Sequence, residues 1–200
     1  MGITERKERE KAQRREAIID AAEKVFFSRG YVASTMEDVA LASELSKGTL
    51  YLYFKSKAEL HYAVSMRAVG ILNDMAEEIR MMKEDAVRKL IALGRTFIAF
   101  AKKFPRHLEA ILYVERADFA ELSRSREKRQ QVILQETPVK MVMEFVEEGV
   151  RQKQIRNDIP PAIIAHTLWS QMLAVFQFVT LQGGWFEMVD MDPESLFERH

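Results

Sequence analysis

Apolar and polar positions along this chain repeat with the period of an α-helix. Near the amino end, Ile18, Ala22 and Val25 recur at intervals of four and three residues, which places them on one side of a helix. Gly30 is a typical residue to end that helix. Runs of β-branched residues bounded by turns are missing, so the pattern predicts an all-α protein.

Two short helices are predicted to follow, and each begins at a hydroxyl side chain. Thr35 with Asp38 three residues later forms a capping box, and Ser46 is the N-cap of the next helix, which we expect to end near Phe54. The turn between these helices, residues 43–45, has the length found in helix-turn-helix units. We therefore expect a compact three-helix domain over residues 1–56.

Longer helices are predicted beyond this unit, and we assign them to a second helical domain over residues 57–200. Their expected spans are roughly 57–82, 85–104, 105–117 and 160–182, and a further region over 120–152 is interrupted at Pro138. The last of these helices is apolar on all sides, so protein should cover it on all sides.

The short helix over residues 47–54 has an unusual outer face. At about 100° per residue, Leu50 and Phe54 point toward the small core, whereas the opposite face holds Gly48, Thr49 and Leu52. This face fits a DNA major groove, where thymine methyl groups accept apolar contacts and the flanking hydroxyl groups of Tyr51 and Tyr53 reach phosphates. Alternatively, both tyrosines pack on neighbouring helices and Leu52 is an ordinary surface residue.

The amino-acid composition is typical of a globular protein with a hydrophobic core. Apolar residues make up 48% of the chain, which is enough for a sizeable core, and Gly and Pro are sparse at 8 and 5. The absence of cysteine excludes disulfides and thiolate metal sites, and no signal peptide is recognisable, so we expect a cytoplasmic protein. The charge-free stretch over residues 159–186 is long enough to span a bilayer, but its prolines, glutamines and glycines favour a buried helix instead.

Net charge is zero, so binding to nucleic acid would depend on a few well-placed groups. Residues 1–57 carry 11 Lys and Arg against 9 Asp and Glu. The charged run over residues 5–16 is either a solvated helix start or a basic arm for DNA, formed by Arg6, Lys7, Arg9, Lys11, Arg14 and Arg15.

The segment TMEDVALASELSKGTLYLYFKSKAEL, residues 35–60, closely resembles the DNA-binding signature of the tetracycline-repressor (TetR) family of bacterial regulators. The resemblance is specific over about a quarter of the chain, and it departs from the family at Glu44, where the turn usually has Gly. A non-Gly residue there is expected to adopt a positive φ. The resemblance implies that Thr35, Tyr53 and Lys57 hold phosphates, that Lys47, Thr49 and Leu52 face bases, and that Gly48 and Tyr51 also lie at the DNA.

The resemblance further implies a ligand-responsive regulator, which we expect to be a repressor that binds a palindromic operator as a homodimer and is released by a small hydrophobic effector. Much of the specificity should come from methyl contacts and DNA shape. The predicted dimer interface, on the last two long helices, contains Val142, Phe145, Val146, Gly149, Leu168, Val175, Phe178 and Val179. The apolar helix could instead be the core of a monomer.

An effector pocket is predicted from Met and aromatic side chains, although residues of this kind at helical spacing are common in plain cores. The candidates are Phe97, Phe100, Tyr113, Met141, Trp169, Met172 and Phe176. We expect no enzymatic activity, metal or cofactor, because the histidines lack ligand spacing and no Gly-rich phosphate loop is present. A helical protein-interaction module without DNA binding is the alternative function.

Overall fold

The computed structural model describes residues 2–117 and 138–181, and the side chains of Ile3, residues 113–117, Pro138 and residues 176–181 lie outside that description. Within these ranges the chain forms eight α-helices and no strand, which confirms the predicted all-α class. The helices are α1 (Ile3–Arg29), α2 (Met36–Ala42), α3 (Lys47–Tyr53), α4 (Lys57–Arg80), α5 (Ala86–Lys103), α6 (Pro105–Ala117), α7 (Pro138–Arg151) and α8 (Pro161–Leu181).

Three helix ends in the first half of the chain lie where local signals predict them. Thr35 Oγ1 accepts a hydrogen bond from Asp38 N at 3.1 Å, and Thr35 N donates to Asp38 Oδ2 at 2.9 Å, so the capping box at the start of α2 is complete. Ser46 Oγ accepts from Thr49 N at 3.1 Å at the start of α3. Gly30 ends α1 with φ of 80°, a conformation that glycine adopts without a Cβ clash.

Two compact units divide the chain, and the first contains the residues up to Arg67. Its core is built from one apolar side of α1, the inner sides of α2 and α3, and the beginning of α4. The fully buried side chains include Ile18, Ala22, Val39, Leu50, Phe54, Leu60 and Val64. The boundary expected from sequence, between residues 56 and 57, falls at the first residue of α4, so the compact unit includes eleven residues of α4 beyond that boundary. Residues 1–56 remain the proposed DNA-binding domain. Leu60 and Val64 of α4 are buried in the same compact unit.

The second unit is a helical bundle in which α7 packs against both α5 and α8. Its core consists of large apolar side chains from these helices and α6: Leu93, Phe97, Phe100, Leu108, Val142, Phe145, Val146 and Trp169. Gly149 allows a close approach here, because a Cβ at that position would lie 2.6 Å from Ile155 Cδ1. Lys89 and Glu148 join α5 to α7 through contacts of 2.9 and 3.0 Å between Lys89 Nζ and the two carboxylate oxygens.

None of the described helices combines the length and apolar character needed to cross a membrane. The helix start predicted at Pro160 or Pro161 is observed at Pro161, and the interruption predicted at Pro138 corresponds to the start of α7. The rest of the region predicted over 120–137 lies outside the described residues, as do the Gly183–Gly184 stop and the end of the chain.

Candidate nucleic-acid interface

The short helix α3 presents the face that its sequence predicts. Leu50 and Phe54 are 0% and 1% exposed, whereas Leu52, on the opposite side, is 74% exposed. Gly48 is also exposed, and Thr49 and both flanking tyrosines are half-buried. The predicted burial of Leu50 and Phe54 is therefore confirmed. A leucine, a glycine and a threonine methyl group remain on the outer side, where an amphipathic helix usually carries charge.

The turn that orients α3 contains a residue in the left-handed region. Glu44 has φ of 55°, as expected for a side chain at a position where the turn favours glycine. The turn is closed by Leu45 N, which donates to Ala40 O at 2.9 Å, and by Ser43 Oγ, which donates to Val39 O at 2.8 Å. These bonds hold α2 and α3 in a fixed orientation despite the cost of the positive φ.

Two cations of the helix-turn-helix unit, Lys47 and Arg29, are engaged with carboxylates of α2. Lys47, the first residue of α3, forms an ion pair with Glu37, and the hydrogen bond from Lys47 lowers the pKa of that carboxyl and raises the pKa of the ammonium. Arg29 contacts Asp38 at 2.5 Å. Hydrogen bonds from the hydroxyl and N–H groups of Thr35 lower the pKa of Asp38, with a smaller contribution from Arg29. Both carboxylates therefore stay ionised and keep the cations close to α2.

Lys57 is also engaged within the chain. Its Nζ donates to three carbonyl oxygens of the loop between α1 and α2, those of Tyr31 (2.9 Å), Val32 (3.4 Å) and Ser34 (2.8 Å). The ammonium also lies 4.4 Å from the centroid of the Tyr31 ring, a cation–π distance. An ammonium has three N–H donors, so these contacts use its full capacity and fix the loop that leads into Thr35.

A cavity of about 770 Å³ lies in the second unit, within the usual size range for small-molecule sites. It is lined by α5, α7, α8 and the loop before α8. Gln171 is the single polar side chain among the lining residues in the described part of the chain. The others are Val87, Leu90, Ile91, Leu93, Phe97, Val142, Ile155, Ile164, Leu168, Trp169, Met172 and Val175.

The structure distributes the predicted effector residues between this cavity and the core. Phe97, Trp169 and Met172 line the cavity. Phe100 and Met141 are 0% and 2% exposed and do not line it, so they are core residues. The side chains of Tyr113 and Phe176 lie outside the described residues.

The predicted dimer residues are mostly internal to the single chain. Val142, Phe145, Val146 and Gly149 are buried in the bundle core, and Leu168 and Val175 line the cavity together with Val142. The side chains of Phe178 and Val179 lie outside the described residues. The exposed side of α8 carries a different set, namely Ala162, Ile163, His166, Thr167, Ser170, Gln171 and Ala174.

A family model described as "Bacterial regulatory proteins, tetR family" matches residues 18–69, which include α2, α3 and the core that supports them. Over these residues the chain is similar to the family. The match confirms the resemblance that the segment over residues 35–60 predicts, and the family's DNA-binding helix-turn-helix corresponds to α2 and α3.

Relatives extend the similarity over most of the chain. The "HTH-type transcriptional repressor KstR2" of Mycolicibacterium smegmatis is 28% identical over 157 residues, which cover 74% of this chain and 70% of that protein. The fold is shared with FadR from Bacillus subtilis, which was solved in complex with stearoyl-CoA. The two chains match with a TM-score of 0.65 and 18% sequence identity, over 92% of this chain and 93% of the FadR chain. FadR from Thermus thermophilus, solved in complex with lauroyl-CoA, matches with a TM-score of 0.64 and 21% sequence identity. That match covers 92% of this chain and 90% of the FadR chain.

Sequence reasoning missed part of the cavity wall. Val87, Leu90 and Ile91 line the cavity from α5, and Ile164 lines it from α8. The signal was present, because the three α5 residues follow each other at intervals of three and one and share a helix side. They were overlooked because the predicted pocket was built from Met and aromatic residues, whereas aliphatic side chains form much of this wall.

Proposed function

We propose that this TetR-family transcriptional regulator is a repressor that binds a palindromic operator as a homodimer and leaves it when a small apolar effector enters the cavity of the second unit. The observation that carries the DNA-binding part is the outer face of α3, where Leu52 is 74% exposed beside Gly48 and Thr49. A solvated helix side of this composition is suited to base methyl groups in a major groove.

The proposed contacts follow from the position of each side chain. Thr49 and Leu52 face the bases, Gly48 lets the backbone approach, and Tyr51 and Tyr53 reach phosphates on either side. Lys47 exchanges Glu37 for a phosphate or a base edge when DNA binds. Thr35 lies at the start of α2, and Lys57 acts on it as a positioning residue through the loop carbonyls that it holds.

Dimerisation is proposed through the exposed side of α8 rather than through the α7 residues expected from sequence. Val142, Phe145 and Val146 are 3%, 3% and 0% exposed in the single chain, so they have no surface to offer a partner. Ile163 is 57% exposed, and it is followed one turn later by Thr167 and then by Ser170. A second copy of this helix would cover that side, and pairing would place two helix-turn-helix units on adjacent half-sites about one DNA turn apart.

The proposed effector is a molecule with a long apolar part. The cavity of about 770 Å³ is lined by aliphatic and aromatic side chains, with Gln171 as the polar group that could orient a ligand. Two proteins with the same fold were solved with acyl-CoA thioesters, so lauroyl-CoA is a suitable first probe. The effector's own identity is to be established by screening.

The test begins with a duplex selected from a random DNA library by the wild-type protein. Leu52→Glu places a carboxylate against the bases and phosphates, so we expect its affinity for that duplex to fall at least tenfold, or about 1.4 kcal/mol. Met81→Glu is the matched control, because Met81 is another apolar side chain with high exposure, 82%, but lies just past Arg80, the last residue of α4. Its affinity should equal that of wild type.

Fluorescence anisotropy measures the affinities, circular dichroism checks that both variants fold, and sedimentation measures the mass of the complex. Two chains per selected duplex, release by lauroyl-CoA and reduced transcription from a promoter carrying the selected site would support the full proposal. Enrichment of no sequence by the folded wild type, or wild-type affinity in Leu52→Glu, would reject DNA binding through α3 and favour a protein-interaction module.

A further inference from the structure

The helix α1 begins well before the core that it helps to build. Its first buried side chain is Ile18, and residues 4–17 are all exposed. At about 1.5 Å per residue, this part of the helix extends roughly 20 Å beyond the core. Residues 4–17 therefore add no buried side chain to the core of the unit.

Four cations of this extension share one side of the helix, although the run as a whole carries both signs of charge. At about 100° per residue, Lys7, Lys11, Arg14 and Arg15 fall within about 100° of each other, on the same side as Ile18. Glu5 and Glu16 fall on another side, together with Glu23 further along the helix. The chain therefore carries a basic stripe, defined here as Lys7, Lys11, Arg14 and Arg15, that continues the line of the core-facing residues.

The acidic side is occupied by α4. Arg67 contacts Glu16 at 2.8 Å, Asp20 at 2.5 Å and Glu23 at 3.3 Å. Burial lowers the pKa of Arg67, but hydrogen bonds to Glu16 and Asp20 outweigh it and raise the pKa overall. These contacts orient α1 about its own axis, so the basic stripe is turned away from Arg67.

The basic stripe is continuous with the end of α3. The guanidinium of Arg15 lies over the ring of Phe54, 5.1 Å from its centroid, and Phe54 is the C-cap of α3. Lys11 and Lys7 follow Arg15 at one and two turns toward the amino end. The stripe therefore starts beside the carboxyl end of α3 and extends away from it by roughly 12 Å, the length of about three to four base pairs.

The cations nearer the helix-turn-helix are already engaged within the chain. Arg29 binds Asp38, Lys47 binds Glu37, and Lys55 Nζ donates to Tyr51 O at 3.0 Å. Lys57 is held by loop carbonyls. Affinity for DNA depends on neutralising phosphates with Lys and Arg. By contrast, Lys7, Lys11 and Arg14 form no ion pair in the described part of the chain.

We propose that Lys7, Lys11 and Arg14 bind phosphates of the duplex flanking the site contacted by α3, so that the α1 extension enlarges the footprint of each protomer on DNA. This proposal rests on the proposed DNA-binding function. The proposal identifies which side of α1 within the charged run of residues 5–16 binds DNA. It also predicts that the affinity for DNA depends on how far the duplex extends beyond the selected site.

The test compares two triple variants of α1 that each lose three positive charges. Lys7→Gln/Lys11→Gln/Arg14→Gln removes the stripe, and Arg6→Gln/Arg9→Gln/Lys24→Gln is the matched control on the other side of the helix. Glutamine is a good helix former, so α1 should persist in both. Each protein binds the selected duplex of about 20 base pairs and the same duplex extended by about 10 base pairs at each end, over a range of salt concentrations.

We expect the stripe variant to lose affinity for the extended duplex by at least tenfold and to match wild type on the short one. Its salt dependence, the slope of log K against log salt, should decrease by roughly 0.9 for each lost contact, or by two to three overall. The control should match wild type on both duplexes.

The inference would be overturned if the stripe variant bound the extended duplex with the same affinity as wild type. It would also be overturned if the stripe variant lost equal affinity for both duplexes, or if the control variant lost as much affinity as the stripe variant. These outcomes leave DNA binding through α3 intact, because wild type still binds the selected site. If the folded wild type enriches no duplex, the proposed function itself fails, and the two failures are thereby distinguished.

Discussion

At the scale of single residues, charge in the helix-turn-helix is used to hold the unit together. Lys47 and Arg29 each pair with a carboxylate of α2, and Lys57 binds the carbonyls of the preceding loop. The exposed outer side of α3 consequently presents Leu52, Thr49 and glycine backbone. We infer that contacts to base methyl groups and DNA shape distinguish sequences here, because α3 contains no Arg, Asn or Gln that could form bidentate bonds with a base.

The strained turn gives a prediction at this scale. Glu44 has φ of 55°, so Glu44→Gly should relieve a Cβ clash and raise the free energy of unfolding by up to about 1 kcal/mol. Ser43 has φ of −93°, so Ser43→Gly should instead lower it, since glycine adds freedom to the unfolded chain and the bond from Ser43 Oγ is lost. Urea unfolding measures both, and equal shifts in the same direction would contradict the strain argument.

At the scale of elements, the short helices depend on their first turns. A helix of seven residues is too short to be stable in isolation, so α2 and α3 need both tertiary packing and caps. The caps at Thr35 and Ser46 satisfy N–H groups that would otherwise be unpaired, and the buried Val39 and Leu50 supply the packing.

The capping box of α2 gives a prediction with a defined pH dependence. The pKa of Asp38 in the folded chain lies below its ordinary value of 3.8, because Thr35 and Arg29 favour the carboxylate. The stability that Asp38 contributes is therefore complete above pH 3.8 and is lost as the pH falls through the lowered pKa. Wild type should be more stable than Asp38→Ala near neutral pH, and the difference should shrink in acid.

Denaturant unfolding across this pH range measures the difference. Thr35→Ala removes the hydroxyl of the same box and should cost about 1 kcal/mol near neutral pH, whereas Thr35→Ser retains the hydroxyl and should cost less. If the difference in free energy of unfolding between wild type and Asp38→Ala stayed constant as the pH fell below 3.8, the ionised carboxylate would not be the stabilising group.

At the scale of the whole molecule, the proposed function requires that two events influence each other: DNA binding at α3 and effector binding in the cavity of the second unit. Linkage makes this influence reciprocal for equilibrium affinities. If an effector weakens DNA binding by a given factor, DNA must weaken effector binding by the same factor.

Lauroyl-CoA allows this reciprocity to be measured. We expect its dissociation constant to rise by roughly 5- to 150-fold in the presence of saturating selected duplex, and the duplex's dissociation constant to rise by the same factor in saturating lauroyl-CoA. Leu52→Glu is the control, because its lauroyl-CoA affinity should respond less to a duplex concentration that saturates wild type but not this variant. Tight binding of both ligands with no mutual effect would show that the cavity does not regulate DNA binding.

Much of the fold was determined by the sequence alone, because the signals involved act over a few residues. The carboxyl end of α1, the starts of α2 and α3 and the inward sides of Leu50 and Phe54 follow from caps, glycine chemistry and helical period. The positive φ of Glu44 follows from the resemblance, since the family usually has Gly at this turn. The similarity to the TetR family over residues 18–69 also follows from the sequence, since the signature lies within one continuous segment.

Only the tertiary structure shows which residues cover the apolar sides of the helices and which charged side chains pair with groups on other elements. Sequence predicted that Val142, Phe145 and Val146 belong to an interface, but they are buried within one chain, and Lys57 proved to hold a loop. Hydrophobic burial has no direction, so an apolar helix side indicates that it is covered without indicating by what. The cavity wall and the partners of Lys47 and Lys57 depend on residues distant in sequence that come together only when the helices pack.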